Sequence, residues 1–455
     1  MPRILIAGPG RTSACLAAGL LAGCTAGDAS NTGGAAQTPG SDAIVRKPDP
    51  VSPGRVGPPA DNAEPPAPGP LPDFVEKGIA WLVKAQHPDG GWGGGSHADQ
   101  SQRDPHRVST DPATTAFSAL ALLRAGHTPV VGAHRDAVRR ATEYLVKTVE
   151  THPGKDPLIT DQKGTQPQSK LGPIVDTVMT AQFLARVLPV FTAGDPLGGK
   201  VDAALGTCIA KLHASQQKDG SWNLGGGWAP VLQSSAGATA LELAKAAGKP
   251  IDEAALTRAK GYQKGNYDVR SSRASGAAAA GVELYANAGA QRGNAVDAWE
   301  ADKLLKEAKN AGRLPAEAPP SPESFERIGL RRDRAEAAAA AVVQNESQIR
   351  RLDDEQLLAG FGNNGGEEYL SYLMTGESLV ITGGEAWTKW NAKMHERLAK
   401  IQGADGSWTG HHCITSPVFC TAAVVQCLTT DRDAPTLRRI AVASAGTGDG
   451  SGGGK

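Results

Sequence analysis

The 455-residue sequence has no excess of either charge: 47 Lys and Arg face 47 Asp and Glu. That balance leaves no electrostatic footprint for nucleic acid or an anionic surface, so neither is expected as the main partner. Aromatic residues are scarce, at 5%. No apolar run is long enough to cross a bilayer as a helix; Cys15–Ala22 near the start is far too short. Large apolar side chains are nearly missing from residues 25–72, which run through Gly, Ser, Thr and Asn into prolines such as Pro65-Pro66-Ala67-Pro68. Such a segment cannot bury enough surface to offset its chain entropy and reads as a tether, extended where prolines concentrate.

What precedes the tether reads as an export signal. Arg3 and Arg11 supply positive charge, and the short apolar run ends in Leu21-Ala22-Gly23-Cys24. That string resembles the lipobox of bacterial lipoproteins, in which the cysteine takes the lipid and becomes the new N-terminus. The resemblance implies a signal over 1–24, lipidation at Cys24 and an extracytoplasmic chain held to a membrane. Thr25, where some inner-membrane lipoproteins carry Asp, points to the outer membrane. Export also implies an oxidising compartment for the remaining cysteines, Cys208, Cys413, Cys420 and Cys427.

Residues 73–443 contain one pattern three times: Gln86 to Trp92, Gln216 to Trp222 and Gln402 to Trp408, each Gln-x-x-Asp-Gly-[Gly/Ser]-Trp with Asp89, Asp219 and Asp405 at the fourth place. Each copy follows an amphipathic stretch; before the first, Val75, Ile79, Leu82 and Val83 share one helix face. Each precedes a more uniformly apolar stretch, which reads as a helix buried on most sides. Asp-Gly closes the first helix because Gly takes the positive φ required. Trp anchors the connection, and Gln can bond backbone groups left open at a neighbouring helix end.

These strings resemble the repeat of the squalene–hopene cyclase, oxidosqualene cyclase and protein prenyltransferase β-subunit superfamily. The resemblance implies an all-α fold, an α6/α6 toroid in which outer and inner helices form two concentric rings. In that register outer helices fall near 73–86, 134–150, 198–216, 251–264, 335–358 and 385–402, and inner helices near 111–126, 174–190, 234–248, 272–288, 366–379 and 416–428. Gly261 to Asn266 reads as a worn motif copy, residues 290–334 as a charged insertion over one rim, and 444–455 as a disordered Gly-rich tail.

In such barrels the starts of the inner helices line the mouth of a central cavity. Those positions hold Asp111, Asp176, Glu367 with Glu368, and His411-His412-Cys413. Each acid has two readings: a catalytic group, or a cap for the open N–H groups and positive dipole of a helix start. The His-His-Cys string has three: zinc ligands completed by Asp176 or Glu368 across the cavity, a Cys413–Cys420 disulfide, or small buried side chains at a spacing of seven.

The superfamily's chemistry carries over poorly. The cyclases protonate a double bond with an Asp-x-Asp-Asp string, and here Val175-Asp176-Thr177-Val178 keeps one Asp. Asp353-Asp354 reads as a solvated face of an outer helix. Few aromatics remain to steady carbocations. The prenyltransferase zinc set needs a Cys two residues after its Asp, where this chain has Val178. The expectation is therefore a lipid-anchored barrel that binds an apolar or isoprenoid-like ligand, or a peptide, without cyclising it. The alternative is an acid- or metal-dependent enzyme, with zinc as the metal, at the cavity mouth.

Overall fold

A computed structural model describes residues 69–445, apart from residue 363. The expected signal, lipidated Cys24, the tether up to residue 68 and the tail from residue 446 lie outside the described residues, while residues 444–445, read as the start of the tail, end the last helix. In chain order the helices are α1 (Asp73–Lys84), α2 (Pro112–Arg124), α3 (Arg135–Glu150), α4 (Gln166–Leu171), α5 (Val175–Val187), α6 (Pro196–Ser215), α7 (Pro230–Ala246), α8 (Glu253–Gly265), α9 (Glu283–Asn310), α10 (Pro322–Arg327), α11 (Arg332–Arg351), α12 (Glu355–Leu358), α13 (Gly366–Thr382), α14 (Gly384–Ala399), α15 (Pro417–Leu428) and α16 (Ala434–Ala445). Among the described residues, strand is confined to a hairpin of β1 (Tyr267–Asp268) with β2 (Arg273–Ala274). None of the described helices is long and apolar enough to cross a membrane.

The packing order is a closed ring. α2 packs on α5, α5 on α7, α7 on α9, α9 on α13, α13 on α15, and α15 back on α2. These six inner helices are apolar nearly all round; every residue of α15 and all but the last of α13 are buried. Outside them lie α1, α3, α6, α8, α11 and α14, whose buried residues fall on one face, such as Val75, Ile79 and Leu82 of α1. The expected all-α toroid of two concentric rings follows directly: one ring has no polar face to offer solvent and the other has only one apolar stripe to bury.

The three motif copies make the same hydrogen bonds. Each Trp indole N–H donates to a leucine carbonyl in the preceding outer helix (Leu82, Leu212 and Leu398; 2.8–2.9 Å). Each Trp amide donates to a hydroxyl on the following inner helix (Thr115, Ser234 and Thr421; 2.9 Å). Each Gln amide donates twice, to the Gly carbonyl of its own turn and to a carbonyl opening the next outer helix: Ala137, Ala255 and Phe74. The last of these joins α14 to α1 and closes the outer ring. Gly90, Gly220 and Gly406 have φ of 90°, 92° and 95°, and a Cβ there would sit 2.2–2.9 Å from the carbonyl oxygen of Arg140, Arg258 or Lys77 on that next helix. Position and conformation both demand glycine.

The sector around α9 departs from the expected register. The inner helix read at 272–288 cannot start there: Ala280 and Gly281 both take positive φ (52° and 80°). It begins at Glu283 and continues to Asn310, through the charged stretch read as the front of the insertion. What loops out is therefore residues 311–331. They rest on a separate small core in which Leu305 and Ala308 of α9 meet Leu314, Phe325, Ala339 and Val342. The worn motif copy does not staple; Gln263 stays inside α8, buried, against Gly289 and Gly293 of α9. Asp353 and Asp354 lie in the turn after α11, where Asp354 caps α12.

Candidate functional site

The inner helices start at one end of the ring, and capping accounts for most of the acids there. Asp111 is the N-cap of α2, accepting the Thr114 amide at 2.7 Å and the Gly94 amide at 2.6 Å. Asp176 does not cap its own helix. It lies inside α5, and its carboxylate accepts the Ala113 amide of neighbouring α2 at 2.9 Å and the Gln168 side chain at 2.7 Å. Burial pushes both acids up, Asp111 to about 7 with the neighbouring Asp176 adding to the rise.

The same borrowing of caps runs round the mouth. Gln233 of α7 accepts the Ile174 amide ahead of α5, and Gln166 of α4 accepts the Thr415 and Ser416 amides ahead of α15 (2.7 and 3.0 Å). Neither glutamine was expected from the sequence. The available signal was a long amide side chain, buried and placed close to an inner-helix start. The first turn of α13 carries Glu367 and Glu368, both fully buried. Glu368 is saturated: it accepts the amides of Phe361 and Gly365 (3.0 and 2.9 Å) and the hydroxyl of Tyr285 on α9 (2.5 Å). Glu367 accepts the Ile414 amide at 3.2 Å through Oε2, while Oε1 has no hydrogen-bond partner among the described residues. Burial, with Glu368 second, pushes Glu367 up to about 8, so this carboxyl is protonated at neutral pH.

Above these acids a row of rings crosses the mouth. Lys170, at the end of α4, lies 5.1 Å from the Trp228 ring. Trp228, ahead of α7, meets Phe361 edge-on at 5.3 Å, and Phe361 meets His412 at 5.2 Å. His412 in turn lies 3.7 Å from Glu368. Phe361 is 56% exposed and is the row's apolar contact with solvent.

The expected site residues thus divide into two groups on opposite sides of the ring. Asp111 and Asp176 belong to α2 and α5; Glu367, Glu368, His412 and Cys413 gather beside α9 and α13. The His411 side chain is exposed, while His412 is half-buried and Cys413 buried. Cys413 is buried with a φ of 58°, and burial, then Glu367, pushes its thiol up to about 12, the wrong direction for a nucleophile. Among the described residues no three His, Cys, Asp or Glu side chains could hold a metal ion. The zinc set expected from His411, His412 and Cys413 therefore does not fit: the three differ in exposure, and Asp176 and Glu368, meant to complete it, accept hydrogen bonds from backbone amides. The disulfide reading is corrected too, since Cys413, Cys420, Cys427 and Cys208 are free and buried.

A second polar cluster was not expected at all. Arg124 (α2), Arg186 (α5), Glu242 (α7), Arg292 (α9), Glu377 (α13) and Asp433 converge inside the ring. Arg124 pairs with Glu377 and, at 3.2 Å, with Asp433. Arg186 pairs with Asp433 and lies 3.7 Å from Glu377. Arg292 reaches Glu242 at 2.7 Å and Glu377 at 3.5 Å. α5 and α13 stand opposite each other in the ring, so these pairs can only run across the bore. Three guanidiniums and three carboxylates make a neutral, buried cross-section near the far ends of the inner helices. Beyond it α16 packs on α7, α9 and α13, burying Leu437 and Ile440.

The double ring and its stapled corners define an α/α toroid of the terpenoid cyclase and prenyltransferase type. Residues 70–164, which span the first motif with α1, α2 and α3, match the family model for the squalene-hopene cyclase C-terminal domain, a match that supports a repeat of that superfamily. No curated protein matches the chain.

Proposed function

We propose that the chain is a lipid-anchored, extracytoplasmic binding protein, a toroid of cyclase type that has given up cyclisation and takes its ligand at the mouth. The observation that carries this is the charge layer. An isoprenoid that folds into rings needs a deep apolar cavity, and here three ion-paired guanidiniums cross the bore. Pushing a hydrocarbon between them would strand buried charge at a cost of several kcal/mol, roughly 3–5 for each pair broken. At the mouth, Phe361, Trp228 and His412 offer an apolar face beside Lys170, and Glu367 Oε1 remains open to a hydrogen bond. That pairing suits a peptide with an apolar side chain better than a bare hydrocarbon. Cys24 supplies the membrane anchor in this reading, and residues 25–72 the tether.

The test is incubation of the purified chain with squalene and with farnesyl-type isoprenoids, followed by mass spectrometry of the extract. No cyclised product is expected, and apolar peptides are expected to quench tryptophan emission saturably. A polycyclic product would sink the proposal. Cys24→Ala should move the chain from the membrane to the soluble fraction; unchanged membrane association would remove the anchor from it.

One observation favours the alternative of an acid-dependent enzyme at the mouth. Glu367 is a buried acid that keeps its proton to about pH 8, with one oxygen unengaged. That reading requires a reaction whose rate falls as pH rises through about 8 and which Glu367→Gln abolishes.

A further inference from the structure

The far end of the bore is only half covered. α16 lies over the α7, α9 and α13 side. On the α2 and α5 side an open pocket of about 400 Å³ remains, lined by Arg124, Arg186, Arg432, Asp433, Thr436 and Arg439 among others. Arg124 and Arg186 are buried beyond nine-tenths, and the Nε–H groups of both have no hydrogen-bond acceptor among the described residues. The charges at this end do not balance. Counting the layer behind the pocket, the five guanidiniums of Arg124, Arg186, Arg292, Arg432 and Arg439 face the three carboxylates of Glu242, Glu377 and Asp433, an excess of two positive charges. The excess lies on Arg432, half-buried, and Arg439, exposed, at the rim above a layer that is itself neutral, so an anion entering the pocket meets net positive charge without breaking a buried pair. Burial, together with the like charge of Arg124, weakens the hold of Arg186 on its proton.

We propose that this pocket is an oxyanion site that takes a phosphate group, held by Arg432 and Arg439 at its rim and by the Arg124 and Arg186 guanidiniums at its floor. Planar guanidiniums converging from several elements are the donors that phosphate oxygens match best. Thr436, whose hydroxyl accepts from Arg439 at 3.2 Å, adds a neutral donor. The phosphate can come from solution or from a lipid headgroup. Arg432 also donates to the Gly69 carbonyl, so the chain leading in from the N-terminal side meets this end of the barrel.

The experiment is calorimetric titration of the full chain with inorganic phosphate, against chloride at matched ionic strength. Saturable binding is expected with phosphate alone. The Arg432→Gln/Arg439→Gln variant should bind at least about tenfold more weakly, the loss set by charge-assisted hydrogen bonds. Thr436→Glu, which places a carboxylate in the pocket and removes no guanidinium, should abolish binding. Circular dichroism establishes that both variants are folded. No phosphate heat beyond that of chloride, or undiminished binding by both folded variants, would overturn the site. Sedimentation with phosphatidylglycerol and phosphatidylcholine vesicles then separates the sources. A phosphatidylglycerol preference that phosphate competes away and the double variant lacks assigns the headgroup, and phosphate binding without that preference assigns the free ion.

Discussion

The two ends of the bore hold carboxyl groups that are equally buried and oppositely ionised. At the mouth, Glu367 and Asp111 have no guanidinium beside them, and burial holds them at about 8 and about 7. At the far end burial pushes Glu377 in the same direction, but Arg124, Arg292 and Arg186 outweigh it and hold the acid below the usual carboxylate range. The difference shows what the toroid does with charge. Where backbone amides alone receive a carboxylate, the acid stays protonated near neutrality. Where arginines from three inner helices converge, it ionises and ties together helices that do not otherwise touch.

The far end should be the harder to damage without consequence. Glu377→Gln leaves Arg124, Arg186 and Arg292 to share Glu242 and Asp433, and it is expected to cost about 3–5 kcal/mol in urea unfolding. A loss under about 1 kcal/mol would mean that water reaches the layer and the bore is open. The mouth should respond to pH with the opposite sign from the far end. Glu367 has a folded-state value raised from 4.5 to about 8, so between those pH values the folded chain keeps a proton that the unfolded chain has lost. Stability therefore falls as pH rises through that window, and Asp111 adds the same sign between 3.8 and about 7. Glu377 contributes stability that is present above 4.5 and lost as pH drops through its depressed value. The melting temperature should be highest near about pH 4 and decline toward about pH 8, and Glu367→Gln should flatten the upper part of that decline. A melting temperature that rises across the same range would contradict the neutral mouth.

The contrast also marks what could be read from the residues. The ring architecture was legible because Gln-x-x-Asp-Gly-x-Trp is a local device: helix end, turn glycine and anchor sit within seven residues, and only the last hydrogen bond of the Gln reaches elsewhere. The mouth acids were legible as positions, but which backbone each would cap was not. Asp176 caps α2 because the inner ring places α5 beside it, a tertiary fact. The charge layer was missed although each member stood out as a lone charge in an apolar run, as in Leu122-Leu123-Arg124 or Thr375-Gly376-Glu377. Lone buried charges carry no spacing rule, since their partners lie 247 and 253 residues away. The α9 register slipped because its charged second half continues an apolar helix, and composition alone cannot distinguish that from an insertion.

Smaller effects separate stapled corners from unstapled ones. Gln402→Ala removes the bond to Phe74 that closes the outer ring, together with the bond to Gly406 in its own turn, and should cost about 1–3 kcal/mol. Gln216→Ala should cost about the same, as it makes the equivalent pair, to Ala255 and Gly220. Gln263→Ala removes an amide with no partner among the described residues and should be near neutral, so equal losses at all three would show that burial matters more than the staple.

The mildest change tests the mouth itself. Phe361 is largely exposed, so Phe361→Ala should move stability by no more than about 0.5 kcal/mol. It also removes the ring that Trp228 meets at 5.3 Å, and emission from that indole should shift toward that of a solvated tryptophan. Seven other tryptophans contribute to the spectrum, so the decisive reading is the same substitution made in a Trp228→Phe background, where the shift should vanish. If it persists there, Phe361 acts on a different indole. The row of rings across the mouth would then be no single structure, and the binding face proposed for it would lose its apolar centre.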